Sequence, residues 1–185
     1  MIISPAPDIP LTMADVKILV IYTSWGGNTE ALARAIADGA SEAGNKNVDV
    51  EIKRARDVGQ AEIEGASALA FGSPTYYSYM SGEMKTLFDN ALRYKDAFYG
   101  KPVIAFATGN GGQLKCIQSI EAILEFFEAA FVQKSDILSA GLAVQGRPDE
   151  GALRQAKAVG RKLGDAGVGY QCSLGRKNII MGRAP

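Results

Sequence analysis

Residues 17–22 read KILVIY and run directly into a Gly-rich turn, TSWGGNT. The apolar positions after Lys17 leave no polar face, so a strand formed here must be covered on both sides, as in a parallel sheet flanked by helices. Beyond Gly26 and Gly27 the apolar residues fall at Leu32, Ile36, Ala40 and Ala43, a helical spacing that Gly44 is suited to stop. A buried strand that empties through glycines into a helix is the opening half of a βα unit. A chain that starts this way must repeat the unit to cover its sheet.

The repetition is visible downstream. Val48, Val50 and Ile52 alternate with Asp49, Glu51 and Lys53, the pattern of a half-exposed strand at a sheet edge. Residues 66–72 and 102–107 form two further buried strands. The first opens into a polar and aromatic loop over 73–81 ahead of a helix carrying Met84, Leu87, Phe88 and Ala91. The second opens into Gly109, Gly111 and Gly112 ahead of a helix carrying Ile117, Ile120, Leu124, Phe127 and Phe131. Residues 138–144 supply a fifth strand, and Pro148 and Asp149 start a last helix with Leu153, Ala156, Val159 and Leu163. An irregular segment is expected from Gly167 onward. The expectation is therefore an α/β domain with an open, doubly wound, five-stranded parallel sheet over residues 16–167, between an N-terminal arm, 1–15, and a C-terminal tail, 168–185. Arg176, Lys177 and Arg183 make that tail basic, and it is expected to be a solvated or subunit-packing extension.

Composition removes several function classes. Twenty basic and twenty acidic side chains give a formal net charge of zero, which offers no footprint for nucleic acid or an acidic membrane surface. No apolar stretch approaches the ~18 residues needed to cross a bilayer, so no membrane insertion is expected. The Pro-rich start, with Pro5, Pro7 and Pro10, lacks the charged and apolar regions of a signal peptide, and the expected location is cytoplasmic. The chain has no histidine and two cysteines. Histidine triads and structural zinc are thereby excluded, no metal is expected, and Cys116 and Cys172 are expected to be free thiols.

In an open parallel sheet, ligands bind beyond the carboxyl ends of the strands, where strand order reverses. The first loop there, with Ser24, Trp25, Gly26, Gly27, Asn28 and Thr29, has small residues that let backbone N–H groups approach a phosphate at a helix N-terminus. The spacings G-x-x-x-x-G-K-[ST] and G-x-G-x-x-G are both missing here. Residues 22–30, YTSWGGNTE, closely resemble the phosphate loop of the flavodoxin family, which implies FMN as cofactor and the sheet order 2-1-3-4-5. Gly26 stands where that family usually carries a hydroxyl, so one phosphate contact is expected from backbone alone. The second loop, over 72–82, contributes Ser73, Pro74, Thr75, Tyr76 and Tyr77. It resembles the first isoalloxazine loop, most closely that of the multimeric NAD(P)H:quinone oxidoreductases known as tryptophan-repressor-binding proteins, and Tyr76 and Tyr77 are expected to wall the ring. The third loop, with Thr108, Gly109, Asn110, Gly111 and Gly112, matches the second isoalloxazine loop in position. Only about 17 residues separate the fourth predicted helix from the fifth, which implies a short-chain core without the insertion that splits strand five.

Three readings follow from that resemblance: an enzyme passing two electrons from NAD(P)H through FMN to a quinone or similar small acceptor, a flavodoxin-type one-electron carrier, and a flavin-binding module without turnover. Typical flavodoxins surround the ring with acids, whereas residues 73–82 and 108–113 contain no Asp or Glu; this favours the enzyme. Hydride chemistry would belong to the flavin, so no catalytic side chain is expected. The histidine that the quinone reductases often place near the flavin cannot exist in this chain. The same resemblance, with Tyr76, Tyr77 and Tyr79 crowding one loop, implies a homodimer or tetramer.

Overall fold

A computed structural model describes residues 16–43, 48–133 and 142–180, the last five by backbone alone. The N-terminal arm, residues 138–141 of the expected fifth strand, and Arg183 lie outside the described residues, as do the side chains of Arg176 and Lys177. The elements run β1 (Val16–Tyr22), α1 (Asn28–Ser41), β2 (Val48–Arg54), α2 (Gln60–Gly65), β3 (Ala68–Pro74), α3 (Gly82–Ala91), β4 (Pro102–Gly109), α4 (Gln113–Phe126), β5 (Ala130–Gln133), β6 (Leu142–Gln145) and α5 (Glu150–Ile180), with a 3-10 segment Leu92–Phe98 after α3. All pairings are parallel, in the order β2-β1-β3-β4-β5. The parallel pairing is the one that the alternation of elements predicts, the order is the one that the flavodoxin resemblance implies, and β2 lies at the edge; β6 pairs with β4 off this path.

Strand alternation divides the core into two layers. Ile18 and Val20 of β1, Ala68 and Ala70 of β3 and Phe106 of β4 pack with Leu32 and Ile36 of α1 and Ala156 and Leu163 of α5. Leu19, Ile21, Leu69 and Phe71 face the opposite way, onto Met84 and Phe88 of α3 and Ile117 and Leu124 of α4. Each central strand is thus apolar on both sides because helices cover both sides. The edge strand β2 keeps its polar face: Glu51 pairs with Lys17 at 2.6 Å and with Lys53 at 2.9 Å, and Lys53 reaches Glu62 of α2 at 3.3 Å.

Three expectations are corrected. Phe131 is not on the fourth helix. Helix α4 stops at Phe126, where Glu128 takes a φ of 56°, its N–H donates to Glu125 O, and the N–H of Ala129 donates to Leu124 O. That is a Schellman closure with glutamate in the left-handed position usually held by glycine, so the sequence carries no stop signal there. The early stop leaves room for two short strands, and the expected unsplit strand five is replaced by β5 beside residues 102–104 of β4 and β6 beside residues 106–109.

The third correction concerns the tail. Helix α5 continues through Gly164, Gly167 and Gly169 to Ile180 instead of becoming irregular at residue 167. Three of its glycines, Gly160, Gly164 and Gly167, are contact points. A Cβ on Gly160 would lie 2.0 Å from Ile36 O, one on Gly164 would lie 2.7 Å from Ala40 O, and one on Gly167 would lie 2.6 Å from Ile18 Cδ1. Gly39 meets the carbonyl of Lys157 in the same way, at 1.9 Å. Backbones of α1 and α5 approach so closely that packing outweighs the ~1 kcal/mol per glycine of lost helix propensity. Sequence reasoning also passed over α2. Its C-terminus is closed by Lys101, a buried residue whose Nζ donates to the carbonyls of Ile63 and Glu64.

Candidate functional site

The loops following β1, β3 and β4 meet at the carboxyl edge of the sheet, over the adjacent strands β1, β3 and β4. Strand order reverses between β1 and β3, which leaves a crevice there. The crevice has a volume of about 450 Å³ and is lined by Ser24, Trp25, Gly26, Asn28, Thr29, Pro74, Thr75, Tyr76, Thr108, Gly109, Asn110 and Gly111. Every lining residue is one that the sequence nominates, and none is charged.

The first loop is shaped from within. The Ser24 hydroxyl accepts the Gly27 N–H at 3.1 Å, and Gly27, at φ 83°, turns the chain into α1. A residue with a Cβ would be strained there. Gly27 itself does not line the crevice. Helix α1 has no side-chain cap, so the N–H groups of its first turn keep their capacity to bind an anion. The Thr29 hydroxyl, 1% exposed, bonds the Thr108 hydroxyl at 2.8 Å and ties the first loop to the third.

Other expected residues work one step back. Ser73 is buried: its hydroxyl donates to Pro74 O and accepts the Ser81 N–H, each at 2.8 Å. Ser81 caps α3 through the Met84 N–H and bonds the buried Thr23 hydroxyl at 2.8 Å. Loops one and two are therefore locked together beneath the crevice by hydroxyls. The Thr75 N–H donates to Thr108 O at 2.8 Å and its hydroxyl to Gly112 O at 3.3 Å. Gly112, at φ 76°, opens α4 against Ser78, where a Cβ would stand 2.3 Å from the Ser78 hydroxyl. Its role is this close approach. Cys116 lies buried below, where loss of water pushes its thiol up to about 11, and Cys172 on α5 is also free.

The aromatic wall differs from expectation. Tyr76 and Tyr79 exchange backbone hydrogen bonds of 2.9 and 3.0 Å around Tyr77 and Ser78, which sit at φ 52° and 62°. A two-residue turn of that hand matches the twist of its flanking strands. It throws Tyr77 fully into solvent, away from the crevice. Tyr76 remains on the wall, and its ring partner is Trp25, with centroids 6.5 Å apart at an interplanar angle of 72°. Trp25 is 94% exposed and Tyr76 41% exposed. Two large rings beside a crevice with so little cover are available to a flat apolar ligand.

Sequence reasoning missed Arg54. It is the last residue of β2, paired in register with Tyr22 at the end of β1. Its guanidinium sits 5.4 Å from the Tyr22 ring centroid and donates to the Ser24 carbonyl at 3.2 Å. Extending the alternation of β2 by one residue beyond Lys53, to the level of Tyr22, is the signal that would have found it.

A family model described as Flavodoxin matches residues 20–160. A flavodoxin of Aquifex aeolicus is 29% identical over 160 residues, which cover 80% of this chain and 85% of that one. Among solved structures, a flavodoxin from the domain Archaea superposes with a TM-score of 0.70 at 29% identity, over 82% of this chain and 99% of that one. A flavodoxin, WrbA-like protein from Agrobacterium tumefaciens superposes with a TM-score of 0.66 at 20% identity, over 84% and 99% of the two chains. At that identity the likeness is one of fold alone.

Proposed function

The chain belongs to the flavodoxin family, and from that premise we propose that it binds FMN in the crevice and serves as a one-electron carrier. The observation that carries the reading is the composition of the crevice: three loops line it, with hydroxyls and an uncapped helix N-terminus from the first and exposed rings from the first and second. That donor set fits a phosphate ester joined to a flat ring system. When bound, FMN supplies one- and two-electron redox chemistry at its ring.

The chain's own residues bind, orient and shield. The α1 N-terminus and the Ser24 and Asn28 side chains suit the phosphate. A phosphate oxygen only accepts, so Thr29 would donate to it and Thr108 would donate to Thr29, which sets the direction of the bond between the two hydroxyls. Trp25 and Tyr76 offer apolar surface to the ring, and Asn110 and Gly111 offer polar groups to its edge. No charged side chain lines the crevice, so its low-charge surround favours a neutral ring.

The carrier reading replaces the expected transfer of two electrons from NAD(P)H to a quinone as the principal one. The relatives supporting it are flavodoxins at 29% identity. The absence of acids from the crevice lining is the observation that keeps the NAD(P)H-dependent reading as the second. The test is a titration of the protein with FMN, followed by addition of NADH or NADPH. Quenching of flavin and Trp25 fluorescence, with no bleaching by either nucleotide, is the expected result. No quenching at micromolar protein removes the FMN site, and bleaching followed by turnover with a quinone selects the enzyme. Self-association through the exposed Tyr76, Tyr77 and Tyr79 is proposed separately, and a monomeric mass by light scattering with FMN bound refutes it.

A further inference from the structure

Beside the phosphate loop stands a small charge cluster that lies outside the crevice lining. Glu30, in the first turn of α1, pairs with Arg34 at 2.6 Å and with Arg54 at 3.8 Å. A carboxylate in a first helical turn complements the helix dipole, but it opposes the arrival of a dianion at the same turn. Two guanidiniums on one carboxylate reverse that local charge to a net positive one. The two arginines differ in what they can reach. Arg34 lies on α1 one turn further on, and its guanidinium hydrogen bonds go to the Glu30 carboxylate. Arg54 comes from a different element, is anchored over the Tyr22 ring, and donates to the backbone carbonyl of Ser24, a residue lining the crevice.

Resting on the FMN reading above, we infer that Arg54 is the positioning residue of the phosphate end, holding the Ser24 turn through its carbonyl while neutralising Glu30, so that the site selects a ligand carrying a phosphate monoester. The geometry gives the guanidinium both tasks. Its fork can engage the loop carbonyl and the Glu30 carboxylate together, which a single ammonium cannot reproduce. Holding the Ser24 carbonyl keeps the turn in the conformation in which the Ser24 hydroxyl accepts the Gly27 N–H and the α1 N–H groups stay open. Because β2 is the sheet edge, the charge is delivered without burying it: the Arg54 side chain is 34% exposed. The ring end of the crevice, where Tyr76, Asn110 and Gly111 of the second and third loops join Trp25 of the first, takes no side chain of this cluster into its lining.

The test compares FMN with riboflavin, which shares the ring and lacks the phosphate. Wild type, Arg54→Met and Arg54→Lys are titrated with each flavin by fluorescence quenching, and thermal melts without flavin monitor the fold. Arg54→Met should weaken FMN by about tenfold or more, weaken riboflavin much less, and erase most of the wild-type preference for FMN; Arg54→Lys should recover part of it. Equal losses for both flavins would make Arg54 a structural residue only, and unchanged FMN affinity in both variants would overturn the inference while leaving the FMN site intact. Failure of the wild type itself to bind FMN would bring down the FMN reading and this inference together.

Discussion

Replacing Thr108 by valine keeps the shape of the crevice floor and removes one hydroxyl from a pair. Thr29 Oγ1 and Thr108 Oγ1 lie 2.8 Å apart, at 1% and 3% exposure, so crevice water is a poor replacement for the lost partner of the Thr29 hydroxyl in the variant. An unsatisfied buried hydroxyl costs roughly 1–3 kcal/mol. At ~2–4 °C per kcal/mol for a chain of this length, a cost near 2 kcal/mol lowers Tm by ~4–8 °C. Thr29→Val should cost a similar amount in the protein without FMN. The double variant removes both members of the pair and should recover most of the loss, because two apolar groups of the same shape leave nothing unsatisfied. Flavin binding separates the two threonines. Thr29→Val should weaken FMN by a further ~1–3 kcal/mol through the lost phosphate contact, and the double variant should not restore that affinity even as it restores stability. Denaturant melts and quenching titrations of the four proteins measure both quantities. A double variant whose destabilisation equals the sum of the singles would refute the claim that this bond holds the first loop to the third.

Gly160→Ala places a Cβ 2.0 Å from Ile36 O and should cost ~1–3 kcal/mol, whereas Gly169→Ala, on the same helix with nothing within 4 Å, should stabilise by ~0.5–1 kcal/mol; thermal melts decide both signs. Burial lowers the Lys101 amine to about 8, below its unfolded value of ~10.4. Above pH 8 the unfolded chain therefore holds a proton that the folded one has lost, and stability should rise with pH by up to ~1.4 kcal/mol per unit toward pH 9.5; Lys101→Met should flatten that slope in denaturant melts. With Cys116 buried and its thiol raised to about 11, only Cys172 should react with a thiol reagent at neutral pH, the second equivalent appearing on unfolding; two fast equivalents in the native state would contradict the burial of Cys116.

What residues 17–22 and the glycines after them determine is local and periodic. An apolar run with no polar face must be covered on both sides, and glycines between a strand and a helix must serve a tight turn. These two constraints, repeated down the chain, suffice for the parallel sheet and for the three loops at its carboxyl edge; the resemblance of those loops to the flavodoxin pattern named the residues that line the crevice. Identity at a single position is less informative where its meaning depends on what lies across the fold. Gly167 looks like the end of a helix until Ile18 is seen against it. Glu128 holds a left-handed cap that its residue type does not announce, and that cap makes room for two strands in place of one. Trp25 and Tyr77 are equally aromatic in sequence; a two-residue turn closed between Tyr76 and Tyr79 sends Tyr77 outward and leaves Trp25 beside Tyr76. Arg54 gains its place by strand register with Tyr22, a pairing between residues on different elements. Periodicity reports which face of an element is buried; only the tertiary structure decides which atoms meet there, because those contacts join residues far apart along the chain.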